Sequence, residues 1–219
     1  MVTGSVDPVF DAVRSSDQDE LERLLHDDPS LAAARNGDGL SIILVARYRF
    51  NMQAVERLLA ARPALDVFDA AAVGDVERLR ALLAEDTERA TAYNVDGFTA
   101  LGLASFFDHP EAVRLLLDAG AEVAVPSRNA QQVQPLHSAA AARGTEICAL
   151  LLDRGADVNA RQHGGFTPLH AAGQHGDLPL ARLLLNAGAD RSLTTDDGKT
   201  AFTFAEEGGH TELAALLRE

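Results

Sequence analysis

Leucines recur along this chain at a spacing that only a helix turns into a face. Leu180, Leu183 and Leu184 place an apolar stripe on one side of a helix that starts after Gly176 and stops at Gly188. The same triplet of leucines stands at 115–117, 150–152 and 183–185, each followed by a Gly-Ala pair at 120–121, 155–156 and 188–189. A second mark repeats with it: Gln134-Pro135-Leu136-His137, Thr167-Pro168-Leu169-His170 and Thr200-Ala201-Phe202-Thr203 follow one another at intervals of 33 residues.

The first half obeys the same rule once residue 10 is laid on residue 68. Phe10-Asp11-Ala12, Leu24-Leu25, Asn36 and Asp38-Gly39 then match Phe68-Asp69-Ala70, Leu82-Leu83, Asn94 and Asp96-Gly97, at an offset of 58 throughout. This reads as a duplicated two-unit block in which Leu65 to Phe68 drops a turn. Seven units result, at about 9–35, 36–66, 67–93, 94–128, 129–161, 162–194 and 195–219, in a single domain over 1–219.

Each unit has one physical grammar: a glycine-containing turn, a short helix, a break, a longer leucine-bearing helix and a glycine stop. In the most regular unit Thr167 supplies a capping hydroxyl and Pro168 takes the first helical position, where its missing N–H costs nothing. Ala171 and Ala172 let neighbouring helices approach closely. One unit alone leaves its apolar face wet, so stability requires stacking, and the stack predicts an all-α repeat solenoid.

The period, the Thr-Pro-Leu-His motif, the paired leucines and the segment Gly155-Ala156-Asp157-Val158-Asn159-Ala160 resemble the ankyrin-repeat family. That resemblance implies antiparallel helix pairs, β-hairpin fingers at right angles to them, and a concave groove lined by fingers and first helices. The units at Val9 and Val67 lack a recognisable finger, and Arg143 stands where the family prefers glycine. The resemblance also gives His137 and His170 a structural role, bridging neighbouring finger backbones. Asn159 resembles an asparagine that oxygenases hydroxylate in other ankyrin proteins, and its plainer role is a turn.

Composition changes the picture only at the level of partners. With 19 basic against 33 acidic residues the net charge is −14, which repels phosphate backbones and anionic lipid, so neither nucleic acid nor a membrane is expected as a partner. The acidic field lies mostly in residues 1–125, where clusters such as Asp17-Asp19-Glu20 and Asp27-Asp28 read as a solvated face and, less simply, as a rim steering a basic partner. Hydrophobic residues at 47% and charged residues at 24% are ordinary for a folded chain. A lone Cys148 forms no internal disulfide, and Met1 to Asp7 shows no secretion signal, so the expected location is cytoplasmic. Abundant alanine and a single lysine, Lys199, match the bias of GC-rich bacterial genomes.

No catalytic constellation emerges. His163, His170 and His175 lie near Asp177, yet no metal spacing links them, and Cys148 reads as a small buried hydrophobe. Neither a nucleophile elbow nor a phosphate-binding loop is present, so no catalytic residue, metal or cofactor is expected.

Function is therefore sought at positions the scaffold does not need. After the turn glycines stand Leu40, Phe98, Val133, Phe166 and Lys199, mostly apolar where a mixed or polar row would be ordinary. The ends of the first helices add Tyr48, Arg49, Phe106, Phe107, Gln174 and His175, with His163 close by. Aromatics are only 5% of the chain, so their gathering here predicts a binding face for a protein partner, as yet unidentified. Phe106 or Phe107 could alternatively fill the space of the missing third finger. A second reading is a small-molecule site or enzyme using a pocket at that gap, floored by Ala71 and Ala72, with His175, His163, Arg49 and Asp108 as acid–base groups. Polar residues Glu206, Glu207, His210, Thr211 and Glu212 near the end of the chain favour a monomer.

Overall fold

The computed structural model describes residues 7–218; Met1 to Val6, most of the Met1 to Asp7 segment read for a secretion signal, and Glu219 lie outside them. Fourteen α-helices fall into seven consecutive pairs among the described residues. They are α1 (Pro8–Ser15) with α2 (Gln18–Asp27), α3 (Ile42–Tyr48) with α4 (Met52–Ala60), α5 (Val67–Val73) with α6 (Val76–Glu85), and α7 (Ala100–Phe106) with α8 (Pro110–Asp118). Then follow α9 (Pro135–Ala141) with α10 (Thr145–Asp153), α11 (Pro168–His175) with α12 (Leu178–Asn186), and α13 (Ala201–Glu207) with α14 (Thr211–Arg218).

First helices pack on first helices along the stack, and second helices on second helices, with the joint between the second and third pairs the sparsest. Alanines at the contacts make this possible: Ala46, Ala70, Ala71, Ala104, Ala139, Ala140 and Ala172 are fully buried. One continuous core results, with Leu21, Leu58, Leu79, Leu116, Leu151 and Leu184 of the second helices sealing its far side. Capping follows the sequence grammar, since Ser41, Thr99 and Thr200 accept backbone N–H groups at 3.1, 3.1 and 3.2 Å.

The break inside every pair is a left-handed residue: Ser16, Phe50, Gly74, Asp108, Arg143, Gly176 and Gly209, all at φ between 53° and 73°. Arg143 thus adopts the glycine-like geometry its position demands (φ 62°), with its guanidinium on Asp177 at 3.2 Å.

The projecting β-hairpins implied by the family resemblance are reduced to tight turns. Single antiparallel bridges, Arg35 to Ser41, Tyr93 to Thr99 and Thr194 to Thr200, close three of them, and no extended strand forms among the described residues. In two turns an asparagine replaces the strand: the side-chain oxygens of Asn36 and Asn94 accept from the N–H of Leu40 and Phe98 at 2.9 and 2.8 Å. Successive turns are tied by one backbone bond each, from Arg128 to Gly97, His163 to Gln131 and Asp196 to Gly164. The connection from α4 to α5 carries no such turn, so the turns before α3 and α7 close on each other, Gly39 against Val95.

A candidate binding groove

The histidines of the Thr-Pro-Leu-His motif belong to the scaffold. His170 accepts the Thr167 N–H on Nδ1 at 3.0 Å and donates from Nε2 to the Lys199 carbonyl at 3.2 Å, while His137 does the same between Gln134 and Ala160. Burial lowers both pKa values, which keeps the rings neutral as this arrangement requires. His109 makes a different tie: it stands at the N-terminus of α8, and its Nε2 reaches back to the Ala72 carbonyl in the preceding pair at 3.1 Å. Asp177 caps α12 and pairs with Arg143, and no group of three or more His, Cys, Asp or Glu side chains stands ready for a metal among the described residues. Cys148 is fully buried, and desolvation pushes its thiol up to about 12. Asn159 bridges adjacent units, bonding the Gly188 carbonyl and the Asp190 N–H at 3.2 and 2.8 Å.

In front of α7, α9 and α11 lies an open cavity of about 850 Å³. Eight residues named from the sequence line it: Leu40, Tyr48, Phe98, Phe106, Val133, Phe166, Gln174 and His175. The turn residues reach it because each turn bends over the N-terminus of its first helix, and the others because they stand at the free ends of those helices. Phe166 is fixed by Phe204 and His170 at ring distances of 5.2 and 5.6 Å.

Three named residues are elsewhere. Phe107 is buried, 8% exposed, and packs with Leu44, Ala72 and Leu103 where the third turn is missing. It touches Phe106 edge-on at 5.1 Å and lies over the Arg47 guanidinium at 4.2 Å, so its place is in the core rather than on a binding face. Arg49 caps α3, exposed and outside the cavity. His163 is exposed on the turn before α11, and its backbone N–H serves the turn-to-turn bond.

The pocket expected at the missing turn is also displaced. Ala71 and Ala72 are fully buried, and Tyr48, Leu40, Phe68 and Phe98 pack on the cluster that holds Ala72. A gap there would leave apolar surface without contacts, and these large side chains occupy it.

Other lining groups escape a pattern search. Asp96, Asn129, Gln131 and Gln162 face the cavity, and among the described residues the carboxamides of Gln131, Gln162 and Gln174 form no hydrogen bond. Phe50 is the largest surprise: outside the cavity lining, it is 68% exposed, sits at φ 53°, and approaches Phe106 at 6.2 Å. Its alignment with Gly74, Gly176 and Gly209 was present in the sequence as a signal.

Helix pairs in register, with a groove along the first helices and turns, define a repeat solenoid. The family model for ankyrin repeats (3 copies) matches residues 67–162 and 136–219, and the chain belongs to the ankyrin-repeat family. Its members are in general protein–protein interaction modules. Among similar proteins, the rice (Oryza sativa subsp. japonica) Probable E3 ubiquitin-protein ligase XBOS31 is 43% identical over 96 residues, 42% of this chain and 21% of that protein. The Homo sapiens Neurogenic locus notch homolog protein 4 is 46% identical over 72 residues, 32% of this chain and 4% of that protein. Neurogenic locus Notch protein of Drosophila melanogaster is 37% identical over 87 residues, 39% and 3% respectively. The chain thus spans at most 21% of the length of these relatives. All three are plant or animal proteins, which lends no support to the bacterial source read from composition.

Proposed function

We propose that the chain is one solenoid of seven repeats, a cytoplasmic monomer, and a non-catalytic module that binds a partner protein in its concave groove. The observation that carries this reading is the 850 Å³ cavity, walled by Tyr48, Phe98, Phe106 and Phe166 and edged by unused glutamine carboxamides. Aromatic anchors ringed by polar groups are the usual make-up of a binding hot spot. Arg49 and His163 flank the groove, and Gln174 and His175 contribute polar contacts from within it.

Affinity capture from native extract, with wild type beside a Phe98→Ala, Phe106→Ala double variant of verified helicity, tests it. A partner retained by wild type is lost by the variant, and measured affinity drops by about 2–4 kcal/mol. Equal affinity for both proteins defeats the assignment. The size of the cavity favours a second reading, because it falls in the ordinary range for small-molecule sites. A thermal-shift screen in which an apolar metabolite stabilises wild type but not the double variant would favour that reading.

A further inference from the structure

The chemistry of the bound segment is written at one end of the groove. Among the described Asp, Glu, Lys and Arg residues, Asp96 alone lines the cavity. Its side chain is not needed to hold the turn, because Asn94 does so, with Oδ1 accepting the N–H groups of Asp96 and Phe98 at 3.1 and 2.8 Å. Asp96 joins no ion pair among the described residues.

Around it three shielded polar atoms lack a hydrogen-bond partner: the Tyr48 hydroxyl, Asn94 Nδ2 and Asp96 Oδ2. Asn94 and Asp96 lie within reach of the phenol, yet none of the three atoms completes a well-formed hydrogen bond. An unpartnered carboxylate oxygen in a shielded place is unfavourable, and rotation about the soft Asp side-chain torsion presents it to an incoming donor. The donor that fits best is a cation. A chain of charge −14 draws cations toward it, and the Tyr48 and Phe98 rings cover an aliphatic stem.

Beyond Asp96 the surface turns apolar through Phe98, Phe106 and Phe166, with Gln131 and Gln162 free to meet main-chain amides. From α7 to α11 is two helix spacings, about 20 Å, which an extended segment of roughly six residues spans.

Resting on the groove reading above, we propose that Asp96 and Tyr48 form the subsite for a lysine or arginine of an extended partner segment whose apolar residues lie along Phe98, Phe106 and Phe166.

Selection of random twelve-residue displayed peptides on the full chain tests this. Enriched peptides are expected to share a basic residue at a fixed distance from apolar ones. Asp96→Asn then weakens a selected peptide about tenfold or more, with helicity unchanged, as expected for a close charge pair. Replacing the peptide's basic residue by methionine weakens wild type by a similar factor and the variant hardly at all. Enrichment of apolar peptides with no basic position, or affinity indifferent to Asp96→Asn, overturns the subsite and leaves the groove reading standing. No enrichment, or binding indifferent to the Phe98→Ala, Phe106→Ala pair, overturns both.

Discussion

Phe50 shows how a residue can cost the fold something that its own burial does not repay. Six of the seven left-handed break positions hold glycine or a polar or charged residue, and Phe50 alone is a bulky hydrophobe there. The left-handed region costs an ordinary L-residue about 1–2 kcal/mol, and an exposed ring recovers little of that by burial. Phe50→Gly is therefore expected to raise unfolding free energy by about 0.5–1 kcal/mol in chemical denaturation, while weakening the affinity of a groove-bound partner. A loss of stability would place the ring in the core, against its exposure. A different balance holds at Arg47, a buried cation with no carboxylate partner among the described residues, which lies on the Phe107 face and donates to Met52 sulfur at 3.1 Å.

Between elements the decisive quantity is how closely first helices approach. Gly173 sits mid-helix in α11, and a Cβ there would strike the carbonyl of Ala201 in α13. Glycine to alanine within a helix ordinarily gains about 1 kcal/mol; Gly173→Ala is expected instead to lose about 1–3 kcal/mol in thermal or urea unfolding. The histidine ties between units give the stack a pH dependence of definite sign. Burial lowers the pKa of His109, His137 and His170 below 6.5, so the unfolded chain takes up more protons and stability falls as pH drops below that value. Asp69 opposes them. Burial, with the Asp66 charge beside it, raises its pKa to about 6, so the folded chain takes up the extra proton and gains stability as pH falls through that value. Melting temperatures between pH 7 and 5 should therefore fall in wild type and fall more steeply in Asp69→Asn; a shallower profile in the variant would reverse the assignment.

At the scale of the whole molecule the stack has an unequal joint. Contacts are sparsest between the second and third helix pairs, where the turn is missing, and there the continuous core is supplemented by the small cluster of Leu44, Ala72, Leu103 and Phe107 and by the Arg35–Asp66 ion pair at 2.8 Å. Repeat arrays unfold where a neighbour interface is weak. Amides of α1 to α4 are accordingly expected to exchange with deuterium faster than those of α7 to α12; uniform protection along the chain would show the joint to be as strong as the others.

The helical stripes, the 33-residue mark and the leucine triplets were enough to reveal the helix pairs, because stacking demands the same small and apolar residues at the same place in every unit. The groove was legible to the same degree: residues freed from that demand could be read off by their register, and eight of them line the cavity. What register could not tell was which of two adjacent phenylalanines faces inward, since Phe106 and Phe107 differ only by the rotation of one helical step. Nor could it tell that the missing turn would be filled by Tyr48 rather than left open, or that Asp96 would stand without a partner. These outcomes depend on packing and hydrogen bonding between residues more than 20 positions apart, such as Tyr48 with Ala72 and with Asn94, and only the folded chain brings such residues together.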